Sequence, residues 1–229
     1  MAPAHFVLVF TLTFLLSSVF KIPSMSHDCQ KAACIIISGK RKCGKDYFVH
    51  LLAKKLTLNG LSNVVVHLSL PIKSHFAKTL DLSLDELLSG GPYKETYRKE
   101  MVSWAENQML DDPHIFARQS LEMAMSSTPM LPSVVIVADA RRPSDLSFFF
   151  GLWGRSRCLL LRICASESVR VKRGWGFTES IDNATTECGL DMVADWDHLV
   201  TNDDENYSHD ELLDSIVKQI SRILTEPES

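Results

Sequence analysis

The 229-residue chain carries six cysteines (Cys29, Cys34, Cys43, Cys158, Cys164 and Cys188) but no Cys-X-X-Cys pair. The usual zinc frameworks are therefore excluded. No apolar run approaches the roughly 20 residues that a spanning helix needs, which excludes a polytopic membrane protein. Basic residues are not in excess. Lys plus Arg is 24 against 28 for Asp plus Glu, a net charge of −4, which argues against a nucleic-acid partner. Internal repeats and low-complexity tracts are also lacking. With 45% hydrophobic and 23% charged residues, neither a disordered nor a collagen-like chain fits. What is present is enough chain to bury a full core, expected as a single domain over residues 31–226. Cys34, Cys158 and Cys164 lie in apolar runs, so reduced thiols are expected.

Residues 1–30 are expected to be a hydrophobic leader outside that fold. The run at 6–20 resembles a signal-peptide core, yet its first basic neighbour, Lys21, follows it rather than precedes it. A dispensable leader, with translation starting at Met25, is taken first, a targeting segment second and a membrane anchor third. Sequons begin at Asn183 and Asn206, which keeps a secreted, non-catalytic protein as an alternative. The chain ends Pro227-Glu228-Ser229 rather than in a Ser-Lys-Leu address. The cytosol is expected, with the peroxisome and a targeting role for the leader left open. No stable membrane insertion is expected, and nothing in the sequence suggests an oligomer, so a monomer is expected.

From residue 33 onward, short β-branched runs alternate with longer amphipathic ones. Strands are predicted at 33–38, 63–68, 133–138, 157–165 and 198–202. The first lacks polar alternation, as expected for a strand buried on both faces. Helices are predicted at 45–58, 71–80, 83–88, 93–110, 114–125, from Pro143, and at 166–173 and 208–224. Ser83 with Glu86 suggests a capping box, and Pro143 sits where a helix tolerates proline best. This order predicts an α/β fold, a parallel sheet of about five strands with helices on both faces. Loose segments are expected at 90–92 and 174–189.

The first predicted strand runs directly into Gly39-Lys40-Arg41-Lys42-Cys43-Gly44-Lys45-Asp46. Gly39, Gly44 and Lys45 fit the GxxxxGK core of a P-loop. The glycines let successive N–H groups turn inward, the helix start adds partial positive charge, and Lys45 reaches terminal phosphates. The residue that normally supplies a hydroxyl to Mg²⁺ is here Asp46. Its carboxylate could hold the ion, directly or through water, or cap the helix. The bland alternative is a basic, solvated turn.

Further cations recur in groups. Lys94 and Arg98 share a helix face, a repulsive spacing unless an anion lies between them or Glu95 and Glu100 relieve it. Arg141-Arg142 follows the third strand, and ligands of parallel sheets bind beyond the strands' carboxyl ends. Asp139, at the same tip, is a candidate Mg²⁺ partner or an anchor for an arginine. Arg170 and Arg173 stand before Gly174-Trp175-Gly176, which reads as a mobile flap. Each group alone could be a solvated surface. Together with Lys73 they suggest one anionic site.

These residues resemble the animal-type phosphomevalonate kinases of the nucleoside monophosphate kinase-like P-loop group. The resemblance rests on Ser38–Lys42 with Gly44-Lys45-Asp46, on Tyr93-Lys94-Glu95 with Arg98-Lys99 and Trp104, and on Asp139 with Arg141-Arg142 and Ser144-Asp145. It continues through Arg173-Gly174-Trp175 with Phe177 and through Glu187-Cys188-Gly189-Leu190-Asp191. It implies a three-layer P-loop kinase with a short mobile lid at about 166–190. The implied reaction is transfer of the γ-phosphoryl group of ATP to (R)-5-phosphomevalonate. The family shares Asp at position 46. Where it often has His after Asn202, this chain has Asp203. The resulting expectations place ATP on Lys40, Arg41, Lys42, Cys43, Gly44, Lys45, Asp46, Arg170 and Arg173. The acceptor falls to Lys73, Lys94, Arg98, Arg142 and Asn202, transition-state charge to Lys45 and Arg141, and Mg²⁺ to Asp46 and Asp139. A nucleoside monophosphate kinase remains the alternative within the same fold.

Overall fold

The computed structural model describes residues 31–89, 91–128, 130–203 and 208–226. The leader at 1–30, Cys29, the sequon at Asn206 and the chain end at 227–229 lie outside the described residues, as does Gly90 of the expected break at 90–92.

Five strands form one sheet: β1 (Ala33–Gly39), β2 (Asn63–Val66), β3 (Val134–Ala140), β4 (Cys158–Cys164) and β5 (His198–Thr201). Their spatial order is β2-β3-β1-β4-β5, and every pairing is parallel. β1 is central and buried along its whole length, which explains its run of isoleucines. Alternate side chains serve two cores. Ala33, Ile35 and Ile37 face the layer of α1 (Lys45–Leu58) and α10 (Asp210–Thr225). Cys34 and Ile36 face the layer of α5 (Ile115–Ser126) and α6 (Pro143–Trp153). Leu213, Ile216, Val217 and Ile220 make the buried stripe of α10, spaced as one helix face requires. These are the three layers expected.

A smaller lobe stands beside the sheet. It comprises α2 (Leu70–Leu80), α3 (Leu84–Leu88) and α4 (Pro92–Asp111). Phe76, Leu87 and Met101 are its core, and Trp104 stacks on His75 at 4.1 Å. The Ser83 hydroxyl accepts the Glu86 N–H, so the expected cap forms on that side. Gly91 is the N-cap of α4.

The stretch 174–189 departs from the loose segment expected. After α7 (Glu167–Lys172) come two short helical turns, α8 (Glu179–Asp182) and α9 (Thr185–Cys188). Trp175, Asp182 and Glu187 are buried there. Turns of four residues are too short to leave a periodic pattern, and their anchors are charged side chains rather than apolar ones. The five described cysteines are free. Among the described residues no helix is long and apolar enough to cross a membrane.

Candidate active site

β1 lies between β3 and β4 and stays paired with β4 through Gly39, and chain connections run to both sides of it, the place where open parallel sheets bind ligands beyond the strands' carboxyl ends. The loop Lys40–Gly44 fills this position and delivers the chain into α1. Gly44 has φ 89°, a conformation that a side chain disfavours, and a Cβ there would overlap the Asn202 amide. Lys42 is also left-handed, at φ 61°.

The loop is held from its carbonyl side. Arg170 Nε donates to the Arg41 carbonyl at 2.8 Å. The Cys43 carbonyl accepts from Asn202 Nδ2 at 2.9 Å and from Arg173 Nη1 at 3.2 Å. Asn202 at the end of β5 is itself buried and lies 3.4 Å from His209 Nε2. The arginines expected on a flap thus reach the P-loop. Arg170 also lies over the Trp175 ring, 4.1 Å from its centre.

Acidic residues gather on the same side. Asp182 accepts from Trp175 Nε1, from the Thr178 N–H and from Arg41 Nη1. Asp191 accepts from Lys40 Nζ at 2.7 Å and from Arg162 Nη2 at 2.5 Å. Glu187 takes the Arg41 backbone N–H at 2.9 Å.

Beside α1's first turn, whose Lys45 and Asp46 line it, is a cavity of about 530 Å³. Lys45, Asp46, Lys73, Lys94, Arg98, Asp139, Arg141 and Arg142 are among its charged lining residues. Ile72, Met101, Val102 and Phe116 are among its apolar ones. Burial lowers the Lys94 ammonium to about 8, and Lys73, Arg98 and Arg141 push it the same way. Burial also lowers Lys73, although Asp139 opposes it. Crowded, partly desolvated cations of this kind favour an anionic ligand. Arg98 is held by both oxygens of Glu95, each at 2.7 Å, so part of the repulsion on α4 is relieved within the chain.

The two candidate metal carboxylates differ. Asp46 is 78% exposed in its side chain and contacts Lys45 Nζ. It does not cap α1, whose N-cap Gly44 receives no side-chain bond. Asp139 is buried and accepts the Leu68 N–H at 2.6 Å and the Ser69 N–H at 3.3 Å. Burial pushes its carboxyl up, but Lys45, His67 and the Leu68 N–H hold it below the usual range. It therefore anchors the β2–α2 turn through backbone N–H groups, not through an arginine as one reading expected. Asp145 serves the arginine pair instead, accepting the backbone N–H groups of Arg141 and Arg142 at 2.8 and 2.9 Å.

The expected residues thus fall into two groups. Lys45, Asp46, Lys73, Lys94, Arg98, Asp139, Arg141 and Arg142 share the cavity. Lys40, Arg41, Cys43, Gly44, Arg170, Arg173 and Asn202 form the P-loop and its outer brace. Lys42 belongs to the loop as well, with its side chain exposed. Roles for Asp182 and Glu187 were missed, whereas the relief of Arg98 by Glu95 was one of the two readings of that helix face. A signal existed: Glu179, Asp182, Glu187 and Asp191 are dense beside a cationic motif and read naturally as its counter-charges.

The family model for phosphomevalonate kinase matches residues 37–154. A phosphomevalonate kinase of Drosophila melanogaster is 41% identical over 174 residues, covering 75% of this chain and 88% of the relative. Among solved structures, the APS kinase of Mycobacterium tuberculosis in complex with AMPPNP and APS aligns at TM-score 0.41 and 11% identity, over 83% of this chain and 98% of that one. A gluconokinase from Sinorhizobium meliloti aligns at 0.40 and 16%, over 84% and 91%. The family match runs from residue 37 to residue 154, across the P-loop, the α2–α4 lobe and the arginine pair, and on it and the fly relative the chain belongs to the phosphomevalonate kinase family.

Proposed function

We propose that the chain, working as one domain over residues 31–226 with a lid at about 166–190, transfers the γ-phosphoryl group of ATP to the phosphate of (R)-5-phosphomevalonate. The products are (R)-5-diphosphomevalonate and ADP, a step toward isoprenoids and sterols. The observation that carries this reading is the convergence of Lys45, Lys73, Lys94, Arg98, Arg141 and Arg142 on one cavity beside the P-loop. A phosphate acceptor explains why cations, rather than a base, dominate that cavity. Its second pKa is about 6, so near neutral pH the attacking oxygen is already deprotonated. The acceptor oxygen attacks the γ-phosphorus and the bond to ADP breaks, with no side chain required to take a proton.

The barrier is repulsion between two anions brought together in line, and fixed positive charge lowers it. Lys45 and Arg141 stabilise the transferring group. The loop 40–46 with Arg170 and Arg173 holds ATP. Lys73, Lys94, Arg98 and Arg142 hold the acceptor, and Asn202 closes the site behind the loop. The donors near the γ-phosphate position suit Mg²⁺, which prefers oxygen ligands and binds proteins through one or two carboxylates. Asp46 is exposed beside Lys45, and Asp139 is coupled to it electrostatically. They would hold the ion, which would supply positive charge to the transferring phosphate.

The enzyme is expected to act as a monomer in the cytosol. The test is an acceptor panel. With ATP as donor, 5-phosphomevalonate should be turned over while AMP, CMP and UMP are not. Comparable turnover of a nucleoside monophosphate would overturn the proposal in favour of a nucleotide kinase.

A further inference from the structure

Glu187 occupies a place in the site that the proposed chemistry has not used. Its side chain is 1% exposed, an unusual setting for a carboxylate unless charge and hydrogen bonds satisfy it. Both oxygens are engaged, and by different parts of the site. Oε1 accepts from Arg141 Nη1 at 2.5 Å, and Oε2 accepts the backbone N–H of Arg41 at 2.9 Å. One carboxylate thus joins the tip of β3 to the P-loop. Arg141 Nη1 also donates to the Thr186 carbonyl at 2.6 Å. Both contacts use the same terminal nitrogen, so they fix one edge of the guanidinium while the side chain lines the cavity.

The backbone around Glu187 is fitted to this task. The α9 turn lies directly on the β3 tip. A Cβ at Gly189 would meet the Thr185 carbonyl at 2.6 Å and the Arg141 carbonyl at 2.7 Å. Real side chains do not approach backbone that closely, so only glycine allows the turn to dock. Asp145 fixes the Arg141 main chain from the other side through its N–H. Main chain and side chain of Arg141 are therefore held by separate carboxylates from separate elements. The Lys40–Asp191 pair contrasts with this. Its partners are about one-third exposed, as suits a contact that yields to a phosphate.

We infer that Glu187 is a positioning residue for phosphoryl transfer: it aims the Arg141 guanidinium at the transferring group and ties that aim to the position of the P-loop. The inference rests on the proposed role of Arg141. A fixed cation needs no reorganisation as charge develops, which is where much of its catalytic value lies. Removing Glu187 should therefore affect the chemical step more than ground-state binding.

The test is a double-mutant cycle with Glu187→Gln, Arg141→Met and the double variant. ATP and 5-phosphomevalonate are the substrates, and kcat and both KM values are read in each case. Glu187→Gln should lower kcat by about 10–100-fold, the scale expected when a catalytic group is mis-aimed, while KM for ATP changes no more than a few-fold. In the Arg141→Met background the same substitution should change kcat less than about twofold, since it has nothing left to aim. Equal losses in the two backgrounds would make Glu187 a structural prop and overturn the inference. Wild-type kcat in Glu187→Gln would overturn it as well. Wild-type kcat in Arg141→Met would instead overturn the role of Arg141 itself, which keeps the two failures distinct. If Glu187→Gln loses its cooperative thermal transition, Glu187→Asp replaces it in the cycle. That variant retains the charge but withdraws it by one methylene, and the same comparison of backgrounds decides.

Discussion

Replacing Lys94 by methionine should make the folded protein more stable while damaging its function. Lys94 titrates near 10.5 when unfolded and near 8 when folded, chiefly because of burial and then because of Lys73, Arg98 and Arg141. Below pH 8 both states carry the proton, and the folded state bears the full cost of holding it there. Between about 8 and 10.5 the unfolded state binds more protons, so wild-type stability rises with pH. Above that window the penalty is gone. A decade of proton affinity is about 1.4 kcal/mol, which sets a ceiling of about 3 kcal/mol. Partial solvent screening reduces the expected gain to about 1–2 kcal/mol. Methionine keeps the aliphatic length and removes the charge. Urea unfolding at pH 7 should show Lys94→Met to be more stable by that amount, with the gain shrinking steadily toward pH 10. The variant's KM for 5-phosphomevalonate should rise by about 10–100-fold, the value of a charged hydrogen bond. A less stable variant at pH 7, or a gain that does not change between pH 7 and 10, would refute the reasoning.

Other substitutions probe the scaffold of the site. Asp139→Asn removes one of two acceptors for the Leu68 and Ser69 N–H groups, and should cost about 1–3 kcal/mol at pH 7 in urea unfolding. Because the Asp139 carboxyl is held below its usual range, its contribution is present above that range and is lost as pH falls through the lowered folded value. The difference between wild type and variant should shrink on acidification. Gly44→Ala places a side chain at φ 89° and against Asn202, and should cost about 1–2 kcal/mol with weaker ATP binding by calorimetry. Arg173→Met loses its bond to the Cys43 carbonyl, and should raise KM for ATP by about 10-fold with little change in KM for the acceptor.

Much of the fold was legible because the sheet leaves a plain signature. The unbroken runs of β1, β3 and β4 mark strands covered on both faces, and α1 spans Lys45–Leu58 as its pattern indicated. The site was legible for a related reason. In a parallel sheet the strand tips share one edge, so Gly39–Asp46 and Asp139–Arg142 had to be neighbours once β1 and β3 were adjacent. Sequence could not show how the cations are restrained. The Lys94–Arg98 face was read evenly, as an anion site or as charges relieved by Glu95 and Glu100, and Arg98 closes on Glu95 within one helical turn. Arg41 was read as a phosphate ligand, yet its guanidinium lies against Asp182. Such pairings depend on side-chain direction and on contacts between residues some 140 positions apart, which no local pattern encodes. The turns around Asp182 and Glu187 were lost for that reason. Their cohesion comes from hydrogen bonds to distant arginines, whereas hydrophobic periodicity reports only apolar burial.

The account's central claim is that phosphoryl transfer here depends on fixed positive charge at the start of α1, with Lys45 at its centre. The most direct test is kcat for Lys45→Met with saturating ATP and 5-phosphomevalonate, measured on protein whose thermal transition matches wild type. Turnover should fall by about 10²–10³-fold, as when a preorganised charge-stabilising donor is removed. A folded Lys45→Met enzyme turning over within a few-fold of wild type would contradict the account.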